Sequence, residues 1–214
     1  MTVRPSTRTY GTLMMDVKRR FGDESGVQLE DSDILRWAND GQQQIVTENR
    51  VLRARGTLNT VIGTYDYDFP SDSIHSIISL HHNGIPLRNL TFQEAENSII
   101  ASDPNREQSG TPVAWWFWGD TFTVWPTPDS TGTLTLYYTR NPEPLTGDPS
   151  QLLDISDKYY SALVNYVLQN AYEMDEDWQA AQAKEMQFKT ALAEQREEDF
   201  QNSDDFYPVV TEVQ

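Results

Sequence analysis

Apolar positions open the chain at three- and four-residue spacing: Tyr10, Leu13, Met14, Val17 and Phe21, after which Gly22 stops the pattern. That period predicts a first helix. A loop containing Gly26 leads to Asp31-Ser32-Asp33, whose side chains are expected to cap a second helix. Ile34, Trp37, Ala38, Gly41, Ile45 and Val46 form its inward stripe. Gly41 in mid-helix costs about 1 kcal/mol against alanine, so it is expected to admit another backbone at close range. Arg53-Ala54-Arg55-Gly56 supplies cations and a glycine where a helix C-terminus favours them, and is expected to close this helix.

The period then changes to two. Leu58, Val61 and Ile62, then Tyr65 to Phe69 ending at Pro70, read as strands. Ile74 to His82, Asn83-Gly84 and Ile85-Pro86-Leu87 form a hairpin signal, because Asn-Gly adopts a turn with positive φ. Thr91-Phe92-Gln93-Glu94 is a capping box opening one short helix to about Ala101. Val113 to Trp118 and Thr121 to Trp125 are two strands joined at Gly119-Asp120, Pro126 to Ser130 is a turn, and Leu134 to Tyr138 is the last strand.

Helical spacing returns after a loop from Asn141 to Ser150 rich in proline and glycine. Ser156 or Asp157 is expected to cap a run with Tyr159, Tyr160, Leu163, Val164, Val167, Leu168 and Ala171 on one side. Asp175 or Asp177 opens another, with Trp178, Ala181, Phe188 and Leu192 inward. The fold class expected is α+β: a helical bundle of two N-terminal and two C-terminal helices, a β-rich insertion and an extended C-terminal arm. The expected bounds are 1–56 and 151–200 for the halves of the bundle, 57–150 for the insertion and 201–214 for the arm. Neither pair of helices covers its own apolar face, so the two halves are expected to pack together.

The arm follows an acidic run, Glu194 to Asp205, and carries Phe206-Tyr207-Pro208-Val209-Val210. A segment so charged cannot fold alone. Its apolar end gains by leaving water in another protein's groove, and Pro208 biases Tyr207 toward an extended conformation that suits docking. A frayed terminus is the competing reading.

Charge sharpens this plan. The 214 residues hold 33 acidic and 16 basic side chains, a formal charge of −17. Gripping nucleic acid through its phosphates needs Lys and Arg to displace counterions, so that class is disfavoured. A surface that a nucleic acid slides past is compatible. The basic groups concentrate in residues 1–56 at Arg4, Arg8, Lys18, Arg19, Arg20, Arg36, Arg50, Arg53 and Arg55. With no cysteine, disulfides, thiolate catalysis and Cys-based metal sites are excluded. No apolar run has the length of a membrane span, and the N-terminus lacks the apolar stretch of a signal peptide, so a soluble protein folded in a cytoplasm is expected.

Catalytic patterns are missing. His81 and His82 point to opposite faces of a strand and cannot easily share a metal. No Gly-rich phosphate loop, HExxH or Gly-x-Ser-x-Gly occurs, so neither an enzyme nor a cofactor or metal is expected. The richest binding candidate is Trp115-Trp116-Phe117-Trp118 with Phe122 and Trp125 opposite. Both faces of that strand pair are apolar, so one is expected in the core and the other against a neighbouring subunit or a tail protein. Stacking of Trp115, Trp116, Trp118 and Trp125 on glycans is the alternative.

Several fragments in order resemble the head-to-tail adaptor (connector) proteins of tailed bacteriophages. They are Asp31 to Gly41, Gly110 to Trp116, Val124-Trp125-Pro126-Thr127-Pro128, Leu134 to Pro142 with Leu145, and Tyr159 to Tyr166 before the acidic helix. The resemblance implies a homo-oligomeric ring of about twelve copies in cyclic symmetry beneath the portal. It implies that Phe206, Tyr207, Pro208, Val209 and Val210 reach into the portal while the β-rich region faces the tail. The protein would then be a structural component of the virion, assembled in the host cytoplasm, with genomic DNA passing through an acid-lined lumen without being held. Side-by-side packing is expected to bring cationic groups of the first two helices, with Arg19, Arg20, Arg53 and Arg55, against the acidic last helices of a neighbour. A receptor- or glycan-binding virion protein and a tail-completion or neck protein are the alternatives. The density of tryptophan in the β-rich region departs from the family pattern.

Overall fold

The computed structural model describes residues 6–69 and 74–204, with side chains to residue 196. It has the mixed α+β class expected and divides into two compact units, residues 53–141 in one and the flanking segments in the other. Arg4, Pro70 and the apolar cluster Phe206 to Val210 lie outside the described residues.

The flanking segments form the helical unit. Helix α1 (Tyr10–Phe21) starts where the Thr9 side chain accepts the Thr12 N–H, and ends at Gly22, whose φ of 96° lets its N–H return to the Lys18 carbonyl. Helix α2 (Asp31–Asn49) departs from expectation at both ends. Its N-cap is Glu30, without a side-chain cap, and Asp31 and Asp33 sit in the first turn, where they favour the positive end of the helix dipole. Arg50, in the left-handed region at φ 51°, ends the helix. The Arg53-Ala54-Arg55-Gly56 segment expected to close it lies instead in strand β1 (Arg53–Asn59), where exposure alternates residue by residue. The arginines are every second residue as well as near a helix end, and the strand period won.

Helix α4 (Tyr160–Met174), preceded by a 3-10 turn at Asp157–Tyr159, is the centre of this unit, with Leu163, Val164, Val167, Leu168 and Ala171 fully buried or nearly so. Gly41 of α2 packs against it: a Cβ there would come 2.7 Å from Leu163 Cδ1 and 2.8 Å from Tyr166 Cδ1. The close approach is to side chains, not to a backbone. Polar residues of α2 hold the returning chain. Asn39 accepts the Leu145 N–H at 2.7 Å and donates to the Leu145 carbonyl at 3.2 Å, while Gln42 accepts the Asp154 N–H at 3.0 Å.

Ser156 makes no side-chain cap, and Asp157 takes the hydroxyls of Ser6 at 2.7 Å and Thr7 at 2.6 Å, tying the N-terminal segment to the start of α4. Helix α5 (Trp178–Asp204) begins where Asp177 accepts the Ala180 N–H. It buries Ala181, Phe188 and Leu192, but Trp178, expected inward, is 66% exposed. At roughly 100° per residue Trp178 lies about 80° round the helix from Phe188. The helix also continues through residue 204, past the expected start of the arm at 201.

Asp23 organises the α1–α2 loop by accepting the N–H groups of Val27, Gln28 and Leu29 at 2.9, 2.8 and 2.8 Å. These bonds, led by Leu29, pull its pKa down to about 2. A carboxylate depressed in the folded state contributes stability that is complete above the unfolded value near 3.9 and is lost as pH falls toward 2. Asp23→Asn is therefore expected to melt below the parent protein at neutral pH, with the gap closing between about pH 4 and pH 2. Thermal melts across that range check it, and a pH-independent gap contradicts the assignment.

The second unit is built from two four-stranded sheets. The first has the order β1-β10-β3-β4, with β3 Ile74–His82, β4 Ile85–Pro86 and β10 Thr133–Arg140, all antiparallel. The second has the order β2-β8-β7-β5, with β2 Asp66–Asp68, β5 Arg88–Asn89, β7 Ala114–Trp118 and β8 Thr121–Trp125, and β5 runs parallel to β7. Between them Leu80, Leu134 and Leu136 meet Trp115, Phe122 and Val124 in one core. The capping box at Thr91–Glu94 forms, opening α3 (Phe92–Ala95), which runs on as a π-helical turn, Glu96–Ile100. That short element covers the outer face of the second sheet. The β3–β4 hairpin turns at Asn83 and Gly84, with φ of 50° and 83°.

Val61 and Ile62, expected in a strand, are exposed in a turn, because that run has no alternating partner to bury it. A small parallel pair, β6 Ser109–Gly110 with β9 Thr127–Pro128, takes in part of the turn expected at Pro126 to Ser130.

Candidate functional site

Strand β7 sorts its aromatic residues by alternation. Trp115 points into the core between the sheets at 1% exposure, and Trp116 points the other way, beneath α3 and the π turn, at 0%. Trp125 is half-buried at the edge of that outer cluster. Phe117 and Trp118, at the hairpin end, are 54% and 65% exposed, and Trp118 leans on Phe92 with ring centroids 4.3 Å apart. The four tryptophans singled out in the sequence therefore do not share a face. Trp115 and Trp116 are interior residues, and a stacking platform of all four does not exist in this fold. What the hairpin offers a partner is Trp118 on one side and Phe117 on the other, with Val113 exposed beside the strand.

A cleft of about 790 Å³ opens at one end of the inter-sheet core, with Trp115 inside it, Phe69, Ile77 and Phe117 along its walls, and Asp68 and Asp120 among its lining residues. Its surface is mixed apolar and acidic. Among the described residues no group of three or more His, Asp or Glu side chains is placed to hold a metal ion. His81 and His82 diverge: His82 is buried, which pushes its pKa down, and His81 is half-buried against Tyr137.

The four arginines proposed at an interface fall in different units. Arg19 and Arg20 are exposed in the last turn of α1, where the helix dipole favours cations. Arg53 and Arg55 are exposed at alternate positions of β1, the edge strand of the first sheet. No described helix is long and apolar enough to cross a membrane.

Two features escaped the sequence reading. The Tyr160 hydroxyl donates to Asp16 at 2.6 Å beneath the Arg8 guanidinium, 4.8 Å from its ring, and burial raises its pKa well above the usual phenol range. Asp103 accepts the N–H groups of Glu107 and Gln108, repeating in the loop before β6 what Asp23 does before α2. An aspartate four and five residues before glycine-poor loop backbone is the available signal for the second, and the first has none, since its partners are 144 residues apart.

The family model described as SU10 adaptor protein matches residues 8–211, a stretch that runs through both units. A comparison with curated proteins finds no match to the chain.

Proposed function

The chain belongs to the SU10 adaptor family, a phage head-to-tail adaptor family of structural virion proteins, and on that footing we propose that it forms a ring joining the portal to the tail. About twelve copies stand side by side in cyclic symmetry, DNA passes through the lumen, and Phe206 to Val210 dock into the portal. The β-rich unit, with Trp118 and Phe117 at its hairpin end, faces the tail proteins. Assembly takes place in the host cytoplasm, and the function needs no catalytic step, cofactor or metal.

The observation that carries this reading is the extent of the family match, residues 8–211, which runs through both units. Charge supports it: 33 acidic against 16 basic groups suit a wall that repels phosphates. The experiment is electron microscopy of the purified protein with and without portal. Cyclic particles that cap the portal are expected. Monomers in both preparations overturn the ring, and rings that bind a tail protein but never the portal convert the reading to a tail-completion protein.

A further inference from the structure

Beside its cleft the β-rich unit leaves two strand edges unpaired. In the first sheet β4 pairs only with His81 and His82 of β3, and one further bond runs from the Leu87 N–H to the Leu80 carbonyl. From Ile74 to Ser79 no strand among the described residues pairs with β3 on that side. The register of this stretch with β10 also shifts twice, and such irregularities gather at sheet edges and next to binding sites. In the second sheet β5 meets β7 only at Ala114 and Trp115. The Trp115 carbonyl accepts the Leu90 N–H, so Phe117, two residues on, turns its backbone groups to the same side, past the end of β5. Both free edges reach the cleft, because Ile74, Ile77 and Phe117 line it. Unpaired N–H and C=O groups along an edge are a template for another strand.

The side chains of the cleft say what kind of strand. Asp68 and Asp120 are exposed, no Lys or Arg is among the lining residues, and neither carboxylate is ion-paired among the described residues. Trp115 is 1% exposed, yet its Nε1 donor has no hydrogen-bond partner among the described residues. A buried donor left unpaired is costly, so an acceptor brought into the cleft gains by meeting it. One ligand class answers all three features: an extended peptide with Lys or Arg at alternate positions. Its backbone pairs with the edge and offers carbonyl acceptors, and alternation sends its basic and apolar side chains to opposite sides. A neutral sugar answers Trp115 alone, leaving the edge unpaired and the two carboxylates without a counter-charge.

We propose that the cleft and the free edge of β3 take an extended basic segment of a partner on the tail side, added as a strand, with Lys or Arg at Asp68 and Asp120. The proposal rests on the reading that the β-rich unit faces the tail, and it names the chemistry of what is met there. The probe is a labelled peptide, Thr-Lys-Val-Lys-Val-Lys-Val-Thr, followed by fluorescence anisotropy. It is expected to bind about tenfold tighter than the same peptide with Glu for Lys, and about tenfold tighter than a Lys peptide whose central Val is Pro, which cannot extend a sheet. Asp68→Asn/Asp120→Asn is expected to erase the preference for Lys over Glu. Glu24→Gln/Glu176→Gln, the same change of net charge at exposed acids of the helical unit, is expected to keep it. All four sites are exposed, and circular dichroism checks that both variants fold.

Equal binding of the Glu peptide, or a preference lost equally in Glu24→Gln/Glu176→Gln, means that net charge alone attracts the probe and overturns the proposal. A Pro-containing peptide that binds as well as its parent overturns strand addition. Neutral oligosaccharides that bind where no peptide does assign the cleft to glycans and overturn it, and so does the absence of any binding. Peptide binding is read on the chain whether or not it assembles, so a failure here leaves the ring to be decided by electron microscopy with portal, and a failure of the ring leaves the peptide result standing.

Discussion

Trp116→Ala is expected to destabilise the β-rich unit by about 3–5 kcal/mol, the loss typical of a fully buried tryptophan cut back to alanine. Trp118→Ala, two residues along the same strand, is expected to lose about 1 kcal/mol, the worth of one aromatic contact with Phe92. The difference follows from the alternation of β7 and from what lies over each face. Trp116 is covered by Leu90, Ala95 and Ile99, and its ring is also approached by the Arg106 guanidinium at 5.7 Å. The covering element, α3 with its π turn, spans Phe92 to Ile100. A helix that short is not stable by itself, so packing on Trp116 is what keeps it in place. The Trp116 Nε1 has no hydrogen-bond partner among the described residues, so the loss expected on truncation is one of packing. Trp116→Phe is accordingly expected to recover much of it. For a unit of this size the larger loss lowers the melting midpoint by on the order of 15 °C or more. Denaturant titrations followed by near-ultraviolet circular dichroism measure both variants. A Trp116→Ala protein within 1 kcal/mol of the parent contradicts the assignment of Trp116 to the core under α3.

Where a periodic signal had a local cause, the sequence carried it into the structure. The α1 stripe and its glycine stop, the Asn83-Gly84 hairpin, the Thr91–Glu94 capping box and the β7–β8 pair all depend on residues within one turn or one strand. The misreadings came where two local rules competed or where a distant partner decided. Arg53 to Gly56 satisfied the rules for a helix end and those for an alternating strand, and pairing with β10 settled it. Trp178 is apolar beside a helical stripe, but three residues sufficed to fill the α4 groove and left it in solvent. The functional surfaces were legible only in part. Alternation announced that Trp115 and Trp116 part company, yet not that both faces of β7 are covered within one chain, because the layer over Trp116 comes from residues 90–100.

Deleting Asp204 to Gln214 is expected to leave a folded protein that no longer loads onto portals. The last described buried side chain of α5 is Leu192, twelve residues before the cut, so the described core of the helical unit is kept whole. Melting temperature and circular dichroism are expected to match the full chain. The removed segment carries Phe206, Tyr207, Val209 and Val210, each able to contribute about 1.5–3 kcal/mol if fully buried in a partner. Ordering the backbone of the segment costs about 1–2 kcal/mol per residue, so the net gain from one arm is small. The proposed ring would present every arm at once, and tethered contacts multiply: once one arm is seated, the others bind at high effective concentration. Removing all of them therefore abolishes loading instead of weakening it in proportion. Tyr207→Ala, which trims one side chain from every arm, is expected to reduce portal occupancy more than tenfold for the same reason. Native mass measurement of portal mixed with full-length or shortened protein decides the matter. Shortened protein that occupies portals at the parent level refutes the docking role of Phe206 to Val210, while shortened protein that forms rings but leaves portals empty separates that role from ring assembly.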